Sequence, residues 1–226
     1  MHLKNKYFIH IPRTGGTYVE DSAASEMKIS MKWPTPDTDL LFGLYQESPT
    51  QFYTLQHLTY TESIDKFGVD ESQESFAIVR NPYDRFISLY SFWGGDRKFG
   101  SMENFLTLVE QMNINDYDHT GINIPEGQKY NYQTMTHKEC VYHFIPQYKY
   151  LCRDNSNKPA DNIRIFKFGE MESLNPYLGV KSISFRKPNR DVSKLKPDQQ
   201  MRVYMLYKKD FEIFGYEIPF KPDSEF

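Results

Sequence analysis

The sequence predicts an α/β protein, with a mostly parallel central sheet flanked by helices. Two strand-to-helix junctions, with a later strand and a closing helix, predict it. Residues 7–11 (Tyr-Phe-Ile-His-Ile) form an apolar, β-branched and aromatic run that ends at Pro12 and enters a glycine-containing loop. Ser75–Val79 is a second such run, followed by the helix-starting residues Asn81-Pro82. Residues 163–168 alternate like a strand, and residues 197–211 close the chain as a helix. Short apolar runs bounded by turn residues read as strands. Their alternation with helices is the pattern of a parallel sheet.

Each element follows from its residues. The strand at 7–11 leads into Arg13, Thr14, Gly15, Gly16 and Thr17, a short loop. From Thr17 to residue 27, Tyr18, Val19, Glu20, Ala23, Ala24 and Glu26 suit a helix, which Thr17 or Thr14 can cap. Residues 30–50, rich in Pro, Thr, Asp and Ser, read as an irregular excursion. Residues 51–55 read as a second strand, ending at Gln56-His57. A polar stretch leads to Ser75–Val79, which ends on Arg80. Asn81 then serves as N-cap, Pro82 fits the first helical position, and Asp84 complements the positive helix end. Phe86, Leu89, Tyr90 and Trp93 give this helix an apolar face, and Gly94-Gly95 stop it. A further helix is expected at 102–112, loop at 113–132, partial helix at 135–152 and a polar connection at 153–162. No internal repeat, low-complexity tract or interdomain linker interrupts the chain, so residues 1–226 read as one domain.

Composition narrows the function classes. With 39% hydrophobic and 25% charged residues, the chain is globular rather than disordered. A net charge of −3 and a pI near 6.1 disfavour a nucleic-acid or anionic-membrane binder, while leaving room for local basic sites. Cys140 and Cys152 form no CxxC and have no paired histidine spacing, which argues against structural zinc and a disulfide framework. They read as idle thiols of a reducing compartment. The N-terminal residues show no signal-peptide pattern, and no run approaches the ~18 apolar residues of a membrane span. The expectation is a cytoplasmic protein with no nucleic-acid partner.

The first loop carries chemistry by its position. A strand feeding a glycine loop and then a helix brings unpaired N–H groups together at the positive helix end, and the glycines let an anion approach the backbone. Arg13 adds a planar cationic donor, and Thr14 and Thr17 add hydroxyls. The site suits a phosphate or sulfate. It is neither a Walker A loop nor a dinucleotide fingerprint, because GxxxxGK[ST] and GxGxxG are both absent. A plain strand-to-helix connection would also satisfy this segment taken alone.

At the second junction the strand ends on Arg80, where a metal-dependent nucleotide enzyme places an aspartate for Mg²⁺. A cation at the carboxyl edge of a parallel sheet binds an anion directly. Ser88, two helical turns beyond Asn81, shares a helix face with Asn81 and Asp84. An Arg80–Asp84 ion pair with an ordinary helical Ser88 is the alternative for this segment.

Together, Arg13-Thr14-Gly15-Gly16-Thr17 and Arg80-Asn81-Pro82-Tyr83-Asp84-Arg85-Phe86-Ile87-Ser88 resemble the sulfotransferases that use 3′-phosphoadenosine 5′-phosphosulfate (PAPS), most closely the Golgi-type carbohydrate enzymes acting on heparan and chondroitin. The resemblance implies a three-layer, P-loop-like fold. It also implies that Arg13, Thr14, Gly15, Gly16, Thr17 and Tyr18 hold the 5′-phosphosulfate, and that Arg80 and Ser88 hold the 3′-phosphate. Downstream, Phe144-Ile145-Pro146-Gln147-Tyr148 resembles the family's Pro-Gln segment, and Phe166-Lys167-Phe168-Gly169-Glu170 its strand ending in Phe-Glu. Asn189 with Ser193, and the segment from Asp210 to Tyr216, are similar to its later elements. On this basis Asn189 and Arg186, in the cluster Lys181 with Arg186-Lys187-Pro188-Asn189-Arg190, are expected to contact the cofactor phosphates, a solvated basic loop being the alternative. Gln133 is expected to face the acceptor. One departure is chemical: the family usually carries Lys where this chain has Arg13. An arginine neutralises charge but is a poor proton donor, its pKa being above 12.

Sulfuryl transfer needs an acceptor oxygen in line with the bond to be broken, a base, and positive charge at the leaving phosphate. Arg13 and the helix start supply the charge without a metal. His57 is the candidate base, since the related enzymes place a His or Glu at the end of the corresponding strand and an ordinary imidazole suits proton abstraction near neutral pH. Glu20 is the reserve base, although helical carboxylates are usually solvated. His10 reads as a packed strand residue, and His119, His137 and His143 lack supporting context. The expected acceptor is a hydroxyl, most simply of a carbohydrate. Two other classes compete. A kinase-like phosphotransferase would need the missing GK[ST] loop and a Mg²⁺-holding acid, and a non-catalytic phospho-ligand binder would keep the anion sites without a base.

Overall fold

Alternation within each central strand sorts its side chains onto two faces, and each face acquires its own core. A computed structural model describes residues 1–48, 51–116, 142–153, 156–181 and 194–218. The chain opens with β1 (His2–Leu3), which pairs antiparallel with β2 (Lys6–Ile9). Helix α1 (Gly16–Met27) follows, then an antiparallel pair, β3 (Leu44–Ser48) and β4 (Gln51–Thr54). After α2 (Tyr60–Phe67) come β5 (Ser75–Val79), α3 (Pro82–Phe92), α4 (Gly95–Phe99) and α5 (Met102–Gln111). The chain continues through β6 (Ile163–Lys167), α6 (Leu174–Leu178) and α7 (Pro197–Phe214).

The central sheet has the order β1-β2-β5-β6, with β2, β5 and β6 parallel. Phe8 sits opposite Phe76, and Ala77 opposite Ile165. Tyr7, Ile9, Ala77 and Val79 belong to a core shared with Phe86 and Leu89 of α3, Phe105 and Val109 of α5, and Val203 and Phe211 of α7. Phe8, Phe76, Ile78 and Phe166 belong to a second core with Val19 and Ala23 of α1 and Leu174 and Leu178 of α6. Helices therefore cover both faces, as β2 and β5 require, since burial on two sides gives near-continuous apolar runs.

Several expectations change at the sheet's margin. Residues 51–55 do not join the central sheet. Their strand stops at Thr54 and pairs with Leu44–Ser48, inside the segment expected to be irregular. Leu55–His57 is a single 3₁₀ turn, so His57 follows a side hairpin rather than a central strand. The polar stretch after His57 holds α2, which the sequence reading missed although it carries a capping box: the Thr59 side chain accepts from the Glu62 N–H, and Glu62 accepts from the Thr59 N–H. Helix α1 begins one residue earlier than expected, with Gly15 as N-cap in the left-handed region rather than a threonine cap. Helix α3 matches its sequence signals: the Asn81 side chain accepts from the Tyr83 N–H at 2.9 Å, and Pro82 opens the first turn. Among the described residues no helix is long and apolar enough to cross a membrane.

Candidate active site

The loop between β2 and α1 is wound tightly. Arg13 lies at φ 68 and Gly15 at φ 97, the left-handed region. Glycine adopts it freely, whereas an arginine held there stores strain of about 1 kcal/mol or more. The Thr14 hydroxyl is buried and donates to the Ile11 carbonyl at 2.8 Å, so Thr14 shapes the loop from inside. The first turn of α1 has no side-chain cap and no acidic residue. Its N–H groups and the positive end of the helix dipole thus face the loop without a built-in anion, and Thr17 lines the adjoining cleft.

The second junction meets the first directly. Arg13 donates through Nε to the Ser88 hydroxyl at 3.2 Å and stacks over Phe92, with its guanidinium carbon 4.5 Å from the ring centroid. Arg80 donates through Nη1 to the Arg13 carbonyl at 3.3 Å and lies 4.4 Å over the Phe168 ring. A Cβ on Gly15 would come within 2.9 Å of that same ring, so Phe168 closes the loop from below. Arg80, Ser88 and Thr14 are buried, Thr17 and Tyr18 exposed. The tertiary fold thus brings Arg13, Ser88 and Arg80, far apart in sequence, into one contact chain.

Three residues of the motif-like segments hold these groups, a role that the sequence did not show. Arg85 is buried and donates to the Pro12, Ile145 and His143 carbonyls at 3.1, 3.1 and 2.9 Å, tying the first loop to the segment after residue 142. Gln147 pins Arg80 from both sides: its side-chain oxygen accepts from the Arg80 N–H and its side-chain nitrogen donates to the Arg80 carbonyl, each at 2.8 Å. Asp210 on α7 accepts in turn from the Gln147 and Tyr148 N–H groups at 2.8 and 2.9 Å. Burial pushes the Asp210 carboxyl up to about 6, against the pull of Arg85 and these hydrogen bonds.

An open cleft of about 290 Å³ lies beside the loop. Arg13, Thr17, Glu20, Asp21, His10, His57, His143, Trp33, Phe42 and Phe92 contribute to its wall. Three imidazoles stand in a row: His10 and His57 meet edge to face with centroids 4.8 Å apart, and His57 and His143 likewise at 5.2 Å. Phe92 stacks on the far side of His143 at 5.0 Å. At the near end, His10 Nδ1–H donates to Glu20 Oε1 at 2.8 Å. Burial holds the His10 imidazole below the usual histidine range, with Glu20 pulling the other way. Burial and the neighbouring Glu20 raise the Asp21 carboxyl. Trp33, 55% exposed, stands at the cleft with Phe42 edge-on at 6.3 Å.

The sequence reading placed His57 and Glu20 near this chemistry but misjudged their company. His10 is packed as expected, 5% exposed, but it lies one residue past the end of β2 and also lines the cleft. Glu20 is 3% exposed, not solvated. His143 joins the wall despite having no motif around it. The hint for His10 was its place just before the Pro12 break; for Glu20, it was helical spacing with the buried Val19, Ala23 and Ala24. Arg186, Asn189, Ser193, Gln133, His119, His137 and Cys140 lie outside the described residues. Among the described residues no group of three or more His, Cys, Asp or Glu side chains is arranged to hold a metal ion.

Comparison with known proteins supplies the family. A family model described as the sulfotransferase family matches residues 46–217, a span that contains His57, Arg80 and Ser88 and begins beyond the first loop. No curated protein sequence matches. The crystal structure of a sulfotransferase from Alicyclobacillus acidocaldarius is similar at a TM-score of 0.43 and 11% identity, covering 96% of this chain and 98% of that one. Because the family model spans well over half of its residues, the chain belongs to the sulfotransferase family.

Proposed function

We propose that the protein transfers a sulfuryl group from PAPS to a hydroxyl of a carbohydrate by metal-independent in-line displacement, with His57 as base. The observation that carries this reading is the contact chain Arg13–Ser88 and Arg80–Arg13 at an uncapped helix start, beside a histidine-lined cleft. PAPS, when bound, supplies an activated sulfuryl group and two phosphates. The residues fit a ligand with two anionic groups: Arg13 and the α1 N–H groups for the 5′-phosphosulfate, Arg80 and Ser88 for the 3′-phosphate. Arg186 and Asn189 extend the same proposal. Arg13 neutralises charge at the departing phosphate oxygen, and His57 takes the acceptor proton as the new sulfur–oxygen bond forms. Trp33 offers an exposed aromatic face on which a sugar ring can stack, with Asp21 nearby to accept from its hydroxyls.

Calorimetric titration with adenosine 3′,5′-bisphosphate, compared with ATP and Mg²⁺, tests the donor assignment. Metal-independent binding that weakens roughly 10- to 100-fold in Arg80→Ala is expected, the loss of one or two charge-assisted hydrogen bonds. Binding of neither nucleotide would sink the reading, and binding of ATP only with Mg²⁺ would favour phosphoryl transfer. For the acceptor, Trp33→Ala should raise the carbohydrate KM while leaving bisphosphate affinity unchanged.

A further inference from the structure

We propose that Glu20 and His10 are positioning residues that act on sulfuryl transfer through His57, placing a buried negative charge behind it to stabilise the imidazolium formed when it accepts the acceptor proton. The inference rests on the reading of His57 as the base.

The arrangement supplies both geometry and charge. The His10 ring stands between the Glu20 carboxylate, 2.8 Å from its Nδ1, and the His57 ring, 4.8 Å away centroid to centroid at 80°. Its position is over-determined. Phe8 stacks on it at 5.7 Å, and Gly16 leaves the space it fills, because a Cβ there would lie 2.0 Å from His10 Cδ2. Any larger residue at 16 would expel the ring, so the first helical residue of the anion loop also seats the imidazole beside the base. Glu20 and His10 are almost wholly buried, where a charge acts through little screening water. Burial holds the His10 imidazole below the usual histidine range despite the pull of Glu20, so near neutral pH the ring is neutral and the pair carries the carboxylate's one negative charge.

Among the described residues, the other groups near His57 and the Glu20–His10 pair do not duplicate this, and the Met1 amino group, which acts on both Glu20 and His10, is pushed down to about 4 by burial and adds no positive charge near neutral pH. His143 meets His57 edge to face at 5.2 Å, backed by the apolar Phe92 ring. Arg13 lines the same cleft and is positive, which opposes an imidazolium. Asp21 also lines it but is exposed, so its charge is better screened than that of Glu20. Glu20 is thus the buried counter-charge. In the step itself, the acceptor oxygen bonds to sulfur as its proton passes to His57. The sulfur–oxygen bond to the phosphate breaks, with the electron pair leaving on the phosphate. Positive charge grows on His57 as this happens, so a fixed negative charge behind it is worth more in the transition state than in the ground state.

The test compares Glu20→Gln with the parent protein in three readouts: turnover against pH, bisphosphate affinity by calorimetry, and the titration of the His57 ring by NMR. The expected result is a kcat at least tenfold lower, an acid limb of the kcat profile and a His57 titration both moved to lower pH, and bisphosphate affinity within twofold. His10→Gln, which keeps the carboxylate but removes the ring packed between it and His57, should move the His57 titration less than Glu20→Gln does. A Glu20→Gln protein with parental kcat and an unmoved His57 titration would overturn the proposal. So would parallel loss of bisphosphate binding and thermal stability with the His57 titration in place, which marks a purely structural pair. Failure of the underlying reading looks different: His57→Ala would then transfer sulfate at the parental rate, whatever Glu20→Gln does.

Discussion

At the scale of single residues, the site depends on atoms that are missing as much as on those present. Gly16 is the clearest case, since the His10 ring occupies the volume of its absent Cβ. Gly16→Ala is expected to cost about 1–3 kcal/mol, as overpacking of a filled site does, and to lower turnover by displacing His10. Thermal unfolding and a transfer assay on the same variant check both; an unchanged Tm would show that the ring can yield. Arg13 works by a different principle. Its guanidinium is aimed by the Ser88 hydrogen bond and the Phe92 stack, so Arg13→Gln should keep the fold and lose roughly 100-fold in turnover, the scale seen when one preorganised donor is removed from a developing oxyanion.

At the scale of elements, the functional side chains are set by connections that cross the sheet edge. Helix α3 starts where β5 ends, so Arg80 sits at the junction and Ser88 two turns into the helix. Neither position would be rigid without α7. Asp210 holds the Gln147 and Tyr148 N–H groups, and Gln147 holds both backbone groups of Arg80. Gln147→Ala leaves the buried Arg80 N–H and carbonyl without these partners, and an unsatisfied buried group costs about 1–3 kcal/mol. The expected outcome is a lower denaturant midpoint with unchanged m-value, together with weaker bisphosphate binding. Stability loss with parental binding would separate the anchor from the anion site.

At the scale of the whole molecule, two buried titrations oppose one another. The Asp210 carboxyl, raised by burial from 3.8 to about 6, favours the folded state when protonated. Its contribution is fully present below about 4 and is lost as pH rises through about 6, a swing on the order of 3 kcal/mol. His10, lowered by burial from 6.5, contributes stability above that value and loses it as the pH falls through its folded-state pKa. Asp210→Asn should therefore make the acid loss of stability steeper between pH 4 and 6, and denaturant titrations across that window measure the slope. An identical slope in the variant would show that Asp210 does not titrate there.

The two junctions were legible in the sequence because each is local. An apolar run, a glycine turn and a helix start are consecutive residues, and Asn81-Pro82 declares a cap by its own chemistry. The parallel sheet followed from that alternation. The side hairpin and α2 were not legible, because Leu44–Ser48 sits in a segment of loop-like composition and its pairing with Gln51–Thr54 is a tertiary choice. The Pro-Gln and Asp-Phe segments read only as weak resemblances; what they do, fastening Arg80 through Gln147 and Asp210, needed the fold. By itself the sequence determined the α/β alternation, the glycine loop at a helix start and the cationic strand end, since helix starts, glycines and side-chain charge act over a few residues. Only the tertiary structure decided that Ser88 meets Arg13, that His10, His57 and His143 form one row, and that Glu20 is buried behind it. Those contacts join residues far apart in the chain, and packing, not local preference, sets their distances.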